Sequence, residues 1–119
     1  MIRFINCIKK RDDISVEEFL SYWNSQDFEE LLQRAVDITK PKRLTRNLTL
    51  DIDANIMMKE ERGNREPFNG IIEFFWDNGS DLLDLYATDA AKRVRQEMLD
   101  YQSRFIDLAG SSAFFTEYQ

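Results

Sequence analysis

Apolar and polar side chains alternate over residues 1–9, which is the period of a β-strand. Ile2, Phe4, Asn6 and Ile8 share one face of this predicted strand, and Ile5 and Cys7 take the other. The period then changes. Val16, Phe19, Leu20 and Trp23 recur at i, i+3, i+4 and i+7, one face of a helix. Ser15-Val16-Glu17-Glu18 reads as its capping box, with Ile14 and Phe19 placed to form a hydrophobic staple. Phe28, Leu31, Leu32, Ala35 and Val36 repeat the spacing, so a second helical stretch follows a bend near Ser25 and ends at Pro41.

Leu44, Arg46, Leu48 and Leu50 then alternate with Arg43, Thr45, Asn47 and Thr49, a second strand with one polar face. Residues 51–69 are the least regular, with a short helix expected from Asp53 through Met58 and stopped at Gly63-Asn64. Residues 70–76 form a third strand bounded by the turn Asp77-Asn78-Gly79. Ser80 is expected to cap a short helix containing Leu82 and Leu83. Asp89 opens another, with Ala90, Val94, Met98, Tyr101 and Phe105 on one stripe, and Gly110 ends the helical region. Residues 112–118 make the last strand. The order predicts an α+β, ferredoxin-like βαββαβ sandwich in a single domain over residues 1–119: a four-stranded antiparallel sheet with helices on one face.

A sheet bare on one side should be polar there. This one is apolar on both. The third strand sets Ile71 and Phe75 against Ile72, Phe74 and Trp76; the fourth sets Ala113 and Phe115 against Phe114 and Tyr118. Leaving such side chains wet costs about 1.5–3 kcal/mol each, and a second copy of the same sheet is the simplest cover. A homodimer through the open face is therefore expected.

Composition narrows the chemistry. A net charge of −6 disfavours phosphate-backbone binding, and the basic run Lys9-Lys10-Arg11 meets Asp12-Asp13 at once. An RNA-recognition domain shares the strand order but needs stacking aromatics where Asn69 and Ile71 stand. No stretch approaches the roughly 20 apolar residues of a membrane span. The lone Cys7 reads as a small buried hydrophobe in a reducing, cytoplasmic compartment, with no histidine present to activate it. The segment Asp51-Ile52-Asp53-Ala54-Asn55 imitates a calcium loop but lacks its glycine and its closing glutamate. Zinc, haem and phosphate-loop patterns are missing too, so no cofactor and no metal is expected.

Short motifs in three regions of the chain carry a family resemblance. Met1-Ile2-Arg3-Phe4-Ile5, Ser15-Val16-Glu17-Glu18-Phe19 and Tyr22-Trp23 resemble the opening of the EthD family of dimeric α/β-barrel proteins. Pro67-Phe68-Asn69-Gly70 followed by Glu73-Phe74-Phe75 is similar to its third-strand motif. Phe105-Ile106-Asp107-Leu108 before Ser112-Ala113-Phe114 is similar to its last helix and strand. The resemblance implies protomers paired through their sheets and a small cavity between sheet and helices in each. It also implies a histidine a few residues after the Tyr-Trp pair; Asp27 holds that position here.

Asp27 and Glu73 are thus the candidate acid/base residues and Asn6 the candidate oxygen-binding group. Asp27 has a second reading, as the cap of the helix at Phe28. Phe4, Tyr22, Trp23, Arg46 and Tyr101, with Phe74 or Phe75, are candidate contacts for a small apolar or aromatic metabolite. Asn6, Arg46 and Glu73 lie on three neighbouring strands and are expected either to form a row in the cavity or to contain an Arg46–Glu73 ion pair. Two functions fit: a cofactor-independent enzyme of monooxygenase, cyclase or isomerase type, or a non-catalytic dimeric binding or accessory protein.

Overall fold

The computed structural model describes residues 1–117, the Asp81 side chain excepted. Four strands, β1 (Ile2–Ile8), β2 (Arg43–Leu48), β3 (Gly70–Trp76) and β4 (Ser112–Glu117), form one antiparallel sheet of order β2-β3-β1-β4. The predicted end of the last strand at Tyr118 lies outside the described residues. β1 is flanked on both sides, with Phe4 opposite Phe74 and Phe115, and Asn6 opposite Ile72 and Ala113. Because side chains alternate, this register gathers Ile2, Phe4, Ile8, Leu44, Ile72, Phe74 and Trp76 under the helices. Arg3, Ile5, Cys7, Arg43, Ile71, Glu73, Phe75 and Phe114 are left to the other face.

Five helices are described: α1 (Val16–Trp23), α2 (Gln26–Thr39), α3 (Asp53–Arg62), α4 (Gly79–Tyr86) and α5 (Asp89–Gln102). No helix is long and apolar enough to cross a membrane. Ser15 caps α1 as expected, accepting the Glu18 amide at 3.1 Å. Phe19 and Trp23 are buried, but Val16, first in the helix and ahead of the packed stretch, is 59% exposed. The cap of α2 is Ser25, not Asp27: its backbone is extended and its hydroxyl accepts the Phe28 amide at 3.2 Å. The bend is therefore a cap, and Asp27 lies exposed in the first turn, where a carboxylate meets the positive end of the helix. α2 stops because Lys40 turns left-handed (φ 51°) just before Pro41.

Other boundaries move for similar local reasons. α3 has Ile52 at its cap position with no side-chain hydrogen bond, Asp53 opening the helix, and Gly63 (φ 63°) closing it. It buries none of its residues, and Ile56, Met57 and Met58 stay exposed. α4 begins at Gly79, so Ser80 sits in its first turn. α5 ends at Gln102 instead of near Gly110, because residues 103–107 fold back onto β1's end. There the Arg11 amide donates to the Phe105 carbonyl (3.1 Å) and the Asp107 amide to the Lys9 carbonyl (2.9 Å), burying Phe105 and Ile106. Asn69 pins the start of β3 to the same end: its amide donates to Ile8 and its side chain accepts from Lys10, both at 2.7 Å.

The open face is less bare than alternation alone suggests. Phe75 is only 5% exposed because the Arg43 and Arg3 guanidiniums lie 4.3 and 5.7 Å from its ring centre. Ile5 is likewise covered by its strand neighbours, whereas Phe114 is 46% exposed.

Ser25 also hydrogen-bonds the Tyr101 hydroxyl and the Tyr22 carbonyl. In urea unfolding, Ser25→Ala should therefore cost about 1–2 kcal/mol and Asp27→Asn about 0.3–1 kcal/mol. Equal losses would return the cap to Asp27.

Candidate functional site

α2 and α5 pack on each other above the sheet, and between them and the covered faces of β1, β3 and β4 lies a cavity of about 360 Å³. Its floor is Phe4, Ile72, Phe74 and Trp76; its helical walls are Leu32, Ala35, Val94 and Met98. Space remains because short side chains, Ala35 on α2 and Ala113 on β4, face it where larger ones would close it. Trp76 is fixed by its indole N–H, which donates to the Thr39 carbonyl at 2.7 Å.

A few polar groups interrupt this lining. Thr39 and Ser111 are committed to the protein: their hydroxyls donate to the Ala35 and Asp107 carbonyls, each at 2.7 Å. Arg95 donates to the Tyr86 carbonyl at 2.6 Å, with its guanidinium 3.8 Å from the Tyr86 ring centre. Asn6, from the middle of β1, and Gln102, from the last turn of α5, differ. Neither side-chain amide has a hydrogen-bond partner among the described residues, although Gln102 is only 5% exposed. Neither amide is sealed off, since Arg3 Nε is the one buried side-chain polar atom without a partner among the described residues, so both can bond whatever occupies the cavity.

The expected site residues are divided. Phe4, Asn6 and Phe74 line the cavity. Tyr22, Trp23 and Tyr101 belong instead to a filled aromatic cluster beside it, with Tyr22 stacked on Phe105 at 5.3 Å and Tyr101 on Phe28 at 5.7 Å. Arg46 closes that cluster, donating to the Trp23 carbonyl at 3.0 Å and pairing with Glu29 at 2.9 Å. Glu73 is on the opposite face, 3.7 Å from Arg3. The expected row is thus split by the two-residue period: Asn6 and Arg46 flank Ile72, and Glu73, one residue further, points away. There is no Arg46–Glu73 pair. Asp27 is exposed at the start of α2, and no carboxylate lines the cavity among the described residues.

Arg95, Tyr86 and Gln102 were not singled out from the sequence. Two of them were findable: Ala91, Arg95, Met98 and Gln102 stand at i, i+4, i+7 and i+11, so two polar residues occupy an apolar stripe of α5.

On the open face, burial and then the neighbouring Glu73 charge push the Cys7 thiol above its ordinary value of 9.0. On the same face, 3.7 Å from Glu73, Arg3 Nε is buried with no hydrogen-bond acceptor among the described residues.

No protein-family model matches the sequence, and no curated protein matches it. Solved structures do. A ferredoxin-like dimeric protein of unknown function from Bacteroides fragilis is 17% identical, with a TM-score of 0.61 over 98% of this chain and 95% of its own. An EthD (ethyl tert-butyl ether) family protein from Bacillus halodurans is 13% identical, with a TM-score of 0.61 over 100% and 99%. This is the fold of EthD family proteins. A hydroxynitrile lyase from Passiflora edulis has it as well, at 13% identity and a TM-score of 0.60 over 99% and 93%. At these identities the likeness shows the α+β ferredoxin-like fold alone.

Cys7 gives a pH test. With its folded-state pKa raised, the unfolded chain loses the thiol proton first, so this contribution to stability is complete below pH 9.0 and drains away as pH rises through the raised value. Wild-type stability should therefore fall more steeply than that of Cys7→Ser as pH rises above 9.0. Parallel curves in denaturant titrations would remove Cys7 from the pH dependence.

Proposed function

We propose that this chain is an EthD-like single-domain protein that binds a small, largely apolar or aromatic molecule between sheet and helices, without a bound cofactor, and acts as a cytoplasmic homodimer. The observation that carries the binding is the pair of amides, Asn6 and Gln102, without partners among the described residues in a largely apolar cavity. Apolar walls with a few convergent polar groups are the usual make-up of a small-ligand site. The amides donate to a carbonyl or hydroxyl oxygen and accept from a hydroxyl.

This arrangement favours binding, or a reaction that needs a polarised oxygen, over proton abstraction by a carboxylate. Of the candidate catalytic residues only Asn6 lines the cavity, and Asp27 and Glu73 lie outside it. The non-catalytic reading is supported by the same fact.

The homodimer is supported by the open sheet face. Phe114 is exposed there and Arg3 Nε lacks an acceptor, and two of the solved structures with this fold are described as dimeric.

A neutral probe tests the pocket. 4-Ethylphenol should perturb the fluorescence of Trp76 on binding, and Gln102→Leu should weaken it about tenfold through the lost hydrogen bond. Equal affinities for wild type and variant would remove Gln102 from the site. Native mass spectrometry should give twice the chain mass, and Phe114→Glu, a charge placed in the seam, should give the single chain. A wild-type monomer at micromolar concentration would count against the pairing.

A further inference from the structure

The cavity has one feature that binding a neutral apolar molecule does not use. Arg95 is the one charged side chain that lines it among the described residues. The chain carries 22 acidic residues against 16 basic ones, and Arg3, Arg11, Arg34 and Arg46 each have a carboxylate partner. Arg95 has none. Its one hydrogen bond inside the protein runs to the Tyr86 carbonyl, and its flat face rests on the Tyr86 ring. A guanidinium carries five N–H donors, so most are unspent, and the stacked ring holds the group in place before anything binds.

Arg95 and Gln102 are seven residues apart on one helix. At 1.5 Å per residue, their Cα atoms lie about 10 Å apart along the helix axis, so the two side chains leave the helical wall at well-separated levels. Met98 lies between them on α5, and Phe4, Phe74 and Leu32 line the same cavity. We infer that the molecule this site takes is a slender amphipathic acid, with a carboxylate at Arg95, an apolar or aromatic body, and a hydrogen-bonding oxygen at Asn6 and Gln102. This rests on the reading of the cavity as a ligand site. A single guanidinium with no second cation beside it matches one negative charge, which selects a carboxylate over a phosphate dianion.

The test compares 3-(4-hydroxyphenyl)propanoate with its neutral primary amide at about pH 7.5, by titration calorimetry, with 4-ethylphenol as the uncharged reference. Wild type should bind the carboxylate about tenfold more tightly than the amide, as a charge-assisted hydrogen bond requires. Arg95→Gln should bring the two within about twofold by weakening the acid far more than the amide, while Arg95→Lys should keep part of the preference. If Arg95→Gln does not fold, the wild-type ratio and Arg95→Lys decide. Equal wild-type affinities for acid and amide, with 4-ethylphenol still bound, would overturn the inference and leave the pocket standing. No binding of any of the three would overturn both.

Discussion

The register between β1 and β3 is the constraint on which the rest depends. Phe4 lies opposite Phe74, Asn6 opposite Ile72 and Ile8 opposite Gly70, so Phe4, Ile8, Ile72, Phe74 and Trp76 meet on one face and receive the helices. A slip by one residue would send every one of them to the other face. The pairing is locked from the ends of the strands. Asn69 ties the start of β3 to Ile8 and Lys10 through its amide and its side chain. Gly70 is without a side chain because Trp23 lies over it; a Cβ there would come within 2.8 Å of the indole.

From that register the space between sheet and helices divides into a filled half and an open one. At the α1–α2 junction, Phe19, Tyr22, Trp23 and Phe28 interlock with Tyr101 and Phe105 at ring separations of 5.3–6.1 Å. Aromatic rings of this size leave no room for a guest. Further along α2 the wall changes to Leu32, Ala35 and Thr39, and α5 offers Met98 and Gln102, so packing stops short and the cavity remains. The polar groups follow the same division: those beside the aromatic half are bonded within the protein, whereas two amides in the open half are not.

The reverse face shows how a strand pattern overstates exposure. Phe75 and Ile5 look bare when each strand is read separately, yet Arg3 and Arg43 cover the first, and the central position of β1 shelters the second. What is left bare is a smaller apolar patch around Phe114, next to the Arg3–Glu73 pair. Glu73 acts there on Cys7, not in the cavity.

Period and capping chemistry are local, and they determined much of this protein from the sequence: the four strands, which residues of β1 and β3 share a face, the Ser15 cap, and the ferredoxin-like order. The exclusion of Glu73 from the row of Asn6 and Arg46 was also implicit in the alternation, since Glu73 neighbours Ile72 in the chain. Other matters needed the tertiary structure, because they depend on which chemical partners arrive from distant elements. Ser25 outcompetes Asp27 for the cap while also meeting Tyr101, seventy-six residues away. Tyr22 and Tyr101 leave the list of cavity residues because Phe105 and Phe28 come to fill the space around them. Asn6, Arg95 and Gln102 line one cavity only when α5 is laid across β1, a placement set by packing and invisible to any local period.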